Sequence, residues 1–279
     1  MKLRHAAWPI PANAGLPRQV PQPSPGLETE PPPEEAVIVS ARARRYDVAH
    51  PPPECRIPAD KLIVMRQILV YGDSLTWGIV PNTRRRLPFE QRWPGILENK
   101  LNGAGNRVRM VEDCLNGRRT VWDDPFKPGR NGIVGLAQRI EVNSPLALVI
   151  LMLGTNDFQV QHSCNNAWSA AQGVGALVLE IRRAPIEPGM PVPPVLVVCP
   201  PPTRLPEGTT VSKFLGADRR SAGLADAYRE ICATLECHFF DAGSVTSSSA
   251  VDGVHLDADQ HAALGSALAA VVAPLLGME

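Results

Sequence analysis

From Arg66 onward the chain repeats one pattern, a short β-rich apolar run followed by a helical stretch, and nothing else in it constrains the fold as tightly. Residues 68–71, 108–111, 146–153, 195–199 and 238–240 read as strands, because Val, Ile, Leu and aromatic residues run almost without interruption. Helical periodicity covers 89–101, 131–142, 165–183, 217–235 and 258–275. Strands that are apolar throughout must be buried on both faces, and helices between them supply the cover. The pattern therefore predicts a parallel sheet in an α/β fold. In such a sheet the residues just after each strand, at its carboxyl end, are the ones that carry chemistry.

The first 65 residues differ in kind. They hold nearly half of the chain's 29 prolines, including Pro31-Pro32-Pro33 and Pro51-Pro52-Pro53, and show no apolar period. Such a composition cannot bury enough apolar surface to offset ordering, so residues 1–65 are expected to form a disordered extension and residues 66–279 the folded domain that carries function. Met65 directly precedes the first strand and would make a natural start.

Charge and cysteine usage narrow the function classes. Lys plus Arg and Asp plus Glu both number 28, so no net field draws the chain to a polyanion, and no nucleic-acid partner is expected. No apolar run reaches the roughly 18 residues of a membrane span, and Pro9 and Pro11 interrupt any secretory apolar region; a cytoplasmic location with no membrane partner follows as the expectation. The six cysteines, at 55, 114, 164, 199, 232 and 237, have no metal-ligand spacing, which predicts free thiols. With no HExxH, zinc cluster or P-loop, no metal and no cofactor are expected. Gly103-Ala104-Gly105 precedes a strand and lacks a third glycine, so the dinucleotide fingerprint of a non-catalytic binding module fails.

Four short blocks follow four predicted strands. Gly72-Asp73-Ser74-Leu75 puts a serine on a strand-to-helix turn, which exposes its hydroxyl and aims its N–H at the same place. Taken alone it reads first as a solvated turn with Asp73 or Ser74 as helix cap. Asn116-Gly117-Arg118-Arg119 offers a glycine N–H for close approach, with the two arginines expected as solvated surface charge. Gly154-Thr155-Asn156-Asp157 supplies an amide that either caps a turn or donates to developing negative charge. Asp252-Gly253-Val254-His255 sets a carboxylate three residues before an imidazole, a spacing that lets the acid hold Nδ1 while Nε2 accepts a serine proton. His261, the rival base, falls inside a helix, where a surface role is expected. Asp73 is expected to organise the serine turn through backbone hydrogen bonds.

The ordered placement of all four blocks resembles the SGNH, or GDSL, hydrolase family, over nearly all of residues 66–276. Its four named residues would be Ser74, Gly117, Asn156 and His255. The resemblance implies a flavodoxin-like three-layer α/β/α sandwich with a five-stranded parallel sheet. It also implies a catalytic triad of Ser74, Asp252 and His255, with an oxyanion hole from Ser74, Gly117 and Asn156. Asp123-Asp124-Pro125, Pro200-Pro201-Pro202 and Phe239-Phe240-Asp241-Ala242-Gly243 are similar to the arylesterase and acyltransferase branch, whose members are oligomers acting on short acyl or aryl esters. A homo-oligomeric serine esterase with a small-molecule ester substrate is the implied function, with acyl transfer or perhydrolysis as further activities. The proline-rich extension, Gly117 and Arg119 depart from that branch and bear on pocket size and transfer. A carbohydrate deacetylase, thioesterase or lysophospholipase would share the same chemistry and differ in pocket shape. Trp77, Trp122 and Phe158, together with Phe126 and Trp168, are expected either to wall the acyl pocket or to pack in the core.

Overall fold

The computed structural model of the chain describes residues 65–103 and 106–278. The extension expected over residues 1–65 falls, apart from Met65, outside the described residues, as does Cys55. Five parallel strands, β1 (Arg66–Gly72), β2 (Val108–Cys114), β3 (Leu148–Met152), β4 (Val195–Cys199) and β5 (His238–Asp241), form one sheet in the order β2-β1-β3-β4-β5. Eight helices accompany them among the described residues: α1 (Ser74–Trp77), α2 (Trp93–Asn102), α3 (Leu136–Asn143), α4 (Ala167–Arg182), α5 (Val211–Phe214), α6 (Ala217–Arg220), α7 (Leu224–Thr234) and α8 (Ala258–Leu275).

The two-residue period of the strands divides the core in two. Leu69, Tyr71, Val149, Leu151, Val197 and Cys199 face a layer built from α3, α4 and α7. Ile68, Val70, Leu148, Ile150, Leu196 and Val198 face α2 and α8 on the other side. Both faces of the three central strands are thus dry, which is why β1, β3 and β4 alternate in direction of packing yet not in polarity. All ten of the residues just named from β1, β3 and β4 in the central run 68–71, 148–151 and 196–197 are at most 1% exposed.

One predicted helix is divided. The apolar pattern over 217–235 becomes α6 and α7, because Gly223 takes a left-handed conformation (φ 80°) and caps the start of α7. The region expected as one helix over 89–101 begins with a 3₁₀ turn at Phe89–Gln91 before α2, and α3 starts at Leu136, five residues later than expected.

The strand order places a switch point between β1 and β3, from which the chain winds outward in both directions. A crevice opens at the carboxyl ends of such neighbours. Here the register sharpens the effect: Gly72, the last residue of β1, lies opposite Cys114 of β2 and Met152 of β3, each also the last of its strand. Three loops therefore leave the sheet at one level, side by side. Among the described residues, no helix is long and apolar enough to cross a membrane.

Candidate active site

The serine turn is built first. Asp73 caps α1, its Oδ1 accepting the Leu75 N–H at 2.9 Å, so Ser74 opens the helix directly above the end of β1. Asp73 does more than organise its own turn, since its Oδ2 accepts from Asn156 Nδ2 at 2.9 Å and ties the first loop to the third. Burial pushes its carboxyl up to about 6, against the lowering effects of the Leu75 N–H, the His255 charge and the Asn156 amide.

The third loop is held by an unusual backbone. Gly154 adopts φ 126°, ψ −32°, open to glycine and closed to other residues, and a methyl there would sit 2.2 Å from the Tyr228 hydroxyl. That hydroxyl donates to Leu153 O at 2.9 Å. The chain then turns into the 3₁₀ segment Thr155–Phe158, which presents Asn156 toward the serine. Asn156 is fully engaged: Nδ2 donates to Asp73 Oδ2 and to Arg118 O (3.1 Å), while Oδ1 accepts from Gln159 Nε2 at 2.7 Å. Asp157 is buried behind it, taking Thr120 N at 2.9 Å and Thr120 Oγ1 at 2.5 Å. Burial, opposed by those bonds and by Arg119, raises its carboxyl to about 7.

The last loop brings in the histidine. Its backbone is pinned by Ser249 N to His255 O (2.7 Å), Gly253 N to Ser249 O (2.9 Å) and Thr210 Oγ1 to Asp252 O (2.6 Å). Asp252 accepts the N–H groups of Val254 and His255 on Oδ1, both at 2.9 Å, and His255 Nδ1 on Oδ2 at 2.6 Å. Burial alone would raise this carboxyl, but the hydrogen bonds and charge of His255 and the backbone N–H groups hold it down at about 2. An ionised carboxylate only accepts, so Nδ1 carries the proton and Nε2 is left with its lone pair. That nitrogen lies 3.2 Å from Ser74 Oγ, bridging 181 positions of sequence. Asp252, His255 and Ser74 thus form one hydrogen-bonded chain.

Ser74, Gly117, Asn156, Asp252 and His255 all line a single cavity of about 450 Å³. Among the described residues, no protein acceptor takes the backbone N–H of Ser74 or Gly117, so both remain able to donate to a bound group. Four of the five aromatic residues considered for its wall do not line it. Trp77 stacks under the Arg86 guanidinium (4.8 Å), Trp122 sits beside His162 with ring centroids 6.1 Å apart, and Phe158 is fully buried. Phe158 lines instead a separate cavity of about 300 Å³ beyond the ends of β4 and β5. Of the five, Phe126 is the one that reaches the serine cavity.

Two expectations are corrected by burial. Arg118 and Arg119 are not surface charge: they are 3% and 0% exposed. Arg118 pairs with Asp113 at 2.6 Å and lies over the Tyr71 ring, and Arg119 reaches Asp124 (3.1 Å) and Gln159 (2.8 Å). His261 is buried as well, with Nδ1 accepting the Trp93 N–H at 3.2 Å, and burial together with nearby positive charge lowers its pKa to about 4. It joins α8 to the start of α2 and does not line the serine cavity.

Sequence reasoning missed Asn82, Gln159 and Thr210. Asn82 N approaches Asp252 Oδ2 at 3.3 Å, and its side chain ties Val251 O to Thr209 N. The one sequence signal for Asn82 is its place in a Pro81-Asn82 turn; for the other two there is none.

The profile of the GDSL-like lipase/acylhydrolase family matches residues 70–263. Among solved structures, a carbohydrate acetylesterase family member from Sinorhizobium meliloti superposes with a TM-score of 0.71 at 36% identity, covering 77% of this chain and all of that one. The native aryl esterase of M. smegmatis gives 0.70 at 36% identity, covering 75% and 99%. An arylesterase of Vibrio mimicus is 31% identical over 91 residues, 33% of this chain, and the match spans 38% of that relative's length.

Proposed function

Because this chain belongs to the GDSL-like lipase/acylhydrolase family, we propose that it is a serine esterase cleaving short-chain acyl or aryl esters through an acyl-enzyme. The observation that carries the reading is the 3.2 Å approach of Ser74 Oγ to His255 Nε2, with Nδ1 anchored on an ionised Asp252. In the first step Ser74 Oγ attacks the ester carbonyl carbon as its proton passes to His255 Nε2. The negative charge moves onto the carbonyl oxygen. His255 then returns the proton to the departing alkoxide, leaving Ser74 acylated, and water repeats the sequence in reverse to release the acid.

The oxyanion would be met by the N–H groups of Ser74 and Gly117 and by Asn156 Nδ2. Of the two bonds that Nδ2 now makes, the longer one, to Arg118 O, is the one exchanged for the oxyanion, while the Asp73 bond keeps the amide aimed. Each such donor contributes about 3 kcal/mol, since it faces charge that exists only near the transition state. An alcohol or hydrogen peroxide entering in place of water gives acyl transfer or perhydrolysis by the same route. A carbohydrate acetyl ester as substrate is the second reading, favoured by the likeness to the Sinorhizobium meliloti structure.

Ser74→Ala and His255→Ala, assayed on p-nitrophenyl acetate and with a fluorophosphonate label, test the scheme. Both variants should lose turnover by about 10⁴-fold or more, and Ser74→Ala should take no label. Wild-type turnover in either variant removes that residue from the mechanism. Acetylated sugars in the same panel separate the two substrate readings.

A further inference from the structure

Four cations converge on the serine cavity from three separate segments. Arg84 follows α1, Lys127 and Arg130 follow β2, and Lys213 belongs to α5, and all four line the space that Ser74 and His255 line. Two carboxylates also line it, and both are committed. Asp252 is bound to His255, and Asp124 accepts from Arg119 on Oδ2 and from the Phe126 and Lys127 N–H groups on Oδ1. Among the described residues, none of the four cations forms a salt bridge. Arg130 spends its donors on the carbonyls of Asn116 and Pro128, which fix its guanidinium without neutralising it. Glu207 stands near the last loop, its N–H on Asp252 O, but is not part of the cavity wall.

The crowding registers on Lys213, whose ammonium is pushed below the usual lysine value by partial burial and then by the positive charges of Lys127 and Arg84, with Asp124 opposing. The chain as a whole carries 28 charges of each sign, so this concentration is a local arrangement and no part of a general bias. A cleft lined by one sign of charge raises the local concentration of oppositely charged solutes and orients them as they enter.

We propose that the site is built for esters whose alcohol portion carries an anionic group such as a carboxylate, phosphate or sulfate. The inference rests on the esterase reading above and adds to it the class of substrate. Depth assigns the anion to the alcohol side: Ser74 and Asn156 are 5% and 3% exposed, whereas Arg84, Lys127 and Lys213 are exposed at the rim. A short acyl group bound at the floor leaves the alcohol pointing outward into the cations.

The test compares 4-acetoxybenzoate with its neutral methyl ester, two acetates that differ in the charge of the alcohol portion. The readout is the ratio of their kcat/KM values, followed across wild type and variants so that intrinsic ester reactivity cancels. Lys127→Glu and Lys213→Glu should each lower the ratio roughly threefold and the double variant about tenfold, as exposed charges do. In the wild type alone, raising salt from about 0.02 M to about 0.5 M should lower it severalfold as the Debye length shrinks. A wild type that hydrolyses both acetates with a ratio indifferent to salt and to both charge reversals overturns the anionic class and leaves the esterase reading standing. Failure to hydrolyse either acetate overturns both.

Discussion

The strongest demand the geometry makes is on Asp252→Asn. All the acceptor sites of this carboxylate face N–H groups: Val254 N and His255 N at Oδ1, His255 Nδ1 and the longer Asn82 N contact at Oδ2. An asparagine must turn its NH₂ toward one of these pairs. Against Oδ1 it meets two backbone donors that cannot move without unravelling the loop, so the NH₂ goes to the Oδ2 side. There it donates to Nδ1, and the imidazole responds by carrying its proton on Nε2, 3.2 Å from Ser74 Oγ. A protonated Nε2 cannot accept the serine proton. The expected fall in kcat/KM is about 10⁴-fold, or about 5.5 kcal/mol of transition-state stabilisation. Loss of the charge-assisted bonds costs about 1–3 kcal/mol of stability, less than would unfold the loop, which keeps the Ser249, Gly253 and Thr210 bonds. Turnover of p-nitrophenyl acetate and the rate of fluorophosphonate labelling should fall together, with a urea midpoint measured alongside to show that the variant is folded. A folded Asp252→Asn variant within tenfold of wild type in both assays would refute the tautomer argument and the role given to Asp252.

Gly154→Ala should destabilise the protein by about 2–5 kcal/mol, from a backbone conformation closed to alanine and from displacing the Tyr228 hydroxyl off Leu153 O. Adding Tyr228→Phe should recover part of the loss in urea unfolding, because the atom 2.2 Å away is gone and the ring carbon behind it is at 3.3 Å. Asp157, whose carboxyl is raised to about 7, holds a proton in the folded state that the unfolded chain releases near the ordinary value of 3.8. Its contribution is therefore full below about pH 4 and lost as pH rises through 7, so between about pH 5 and pH 8 wild type should lose about 2–3 kcal/mol relative to Asp157→Asn. Equal pH profiles of the two urea midpoints would contradict this.

The sheet was legible because burial on both faces leaves a strand little freedom of composition. Val195–Cys199 coincides with β4, and α8 coincides with its predicted span, 258–275. The proposed reacting residues share a cavity for a related reason: each lies in a loop that leaves a strand end, and a parallel sheet collects its strand ends on one rim whatever their separation in sequence. What the pattern could not supply was the fate of polar side chains set by distant partners. Arg119 looks like surface charge until Asp124 and Gln159 are brought beside it, and His261 looks like an exposed helix position until α2 packs over it.

The same limit applies to the cavity wall, with more consequence for function. Aromatic content near the strand ends suggested an apolar pocket, yet Trp77, Trp122 and Phe158 turn to other neighbours, and cations from three segments occupy the rim in their place. A net charge of zero conceals such an arrangement, because composition sums over the surface while a cleft selects from it. The chemistry proposed for this site rests on strand order and register; the substrate class proposed for it rests on which loop side chains the crossovers deliver to the rim. Charge reversal at Lys127 and Lys213 therefore separates the two, since it changes the rim and leaves β1, β3 and the loop of His255 as they are.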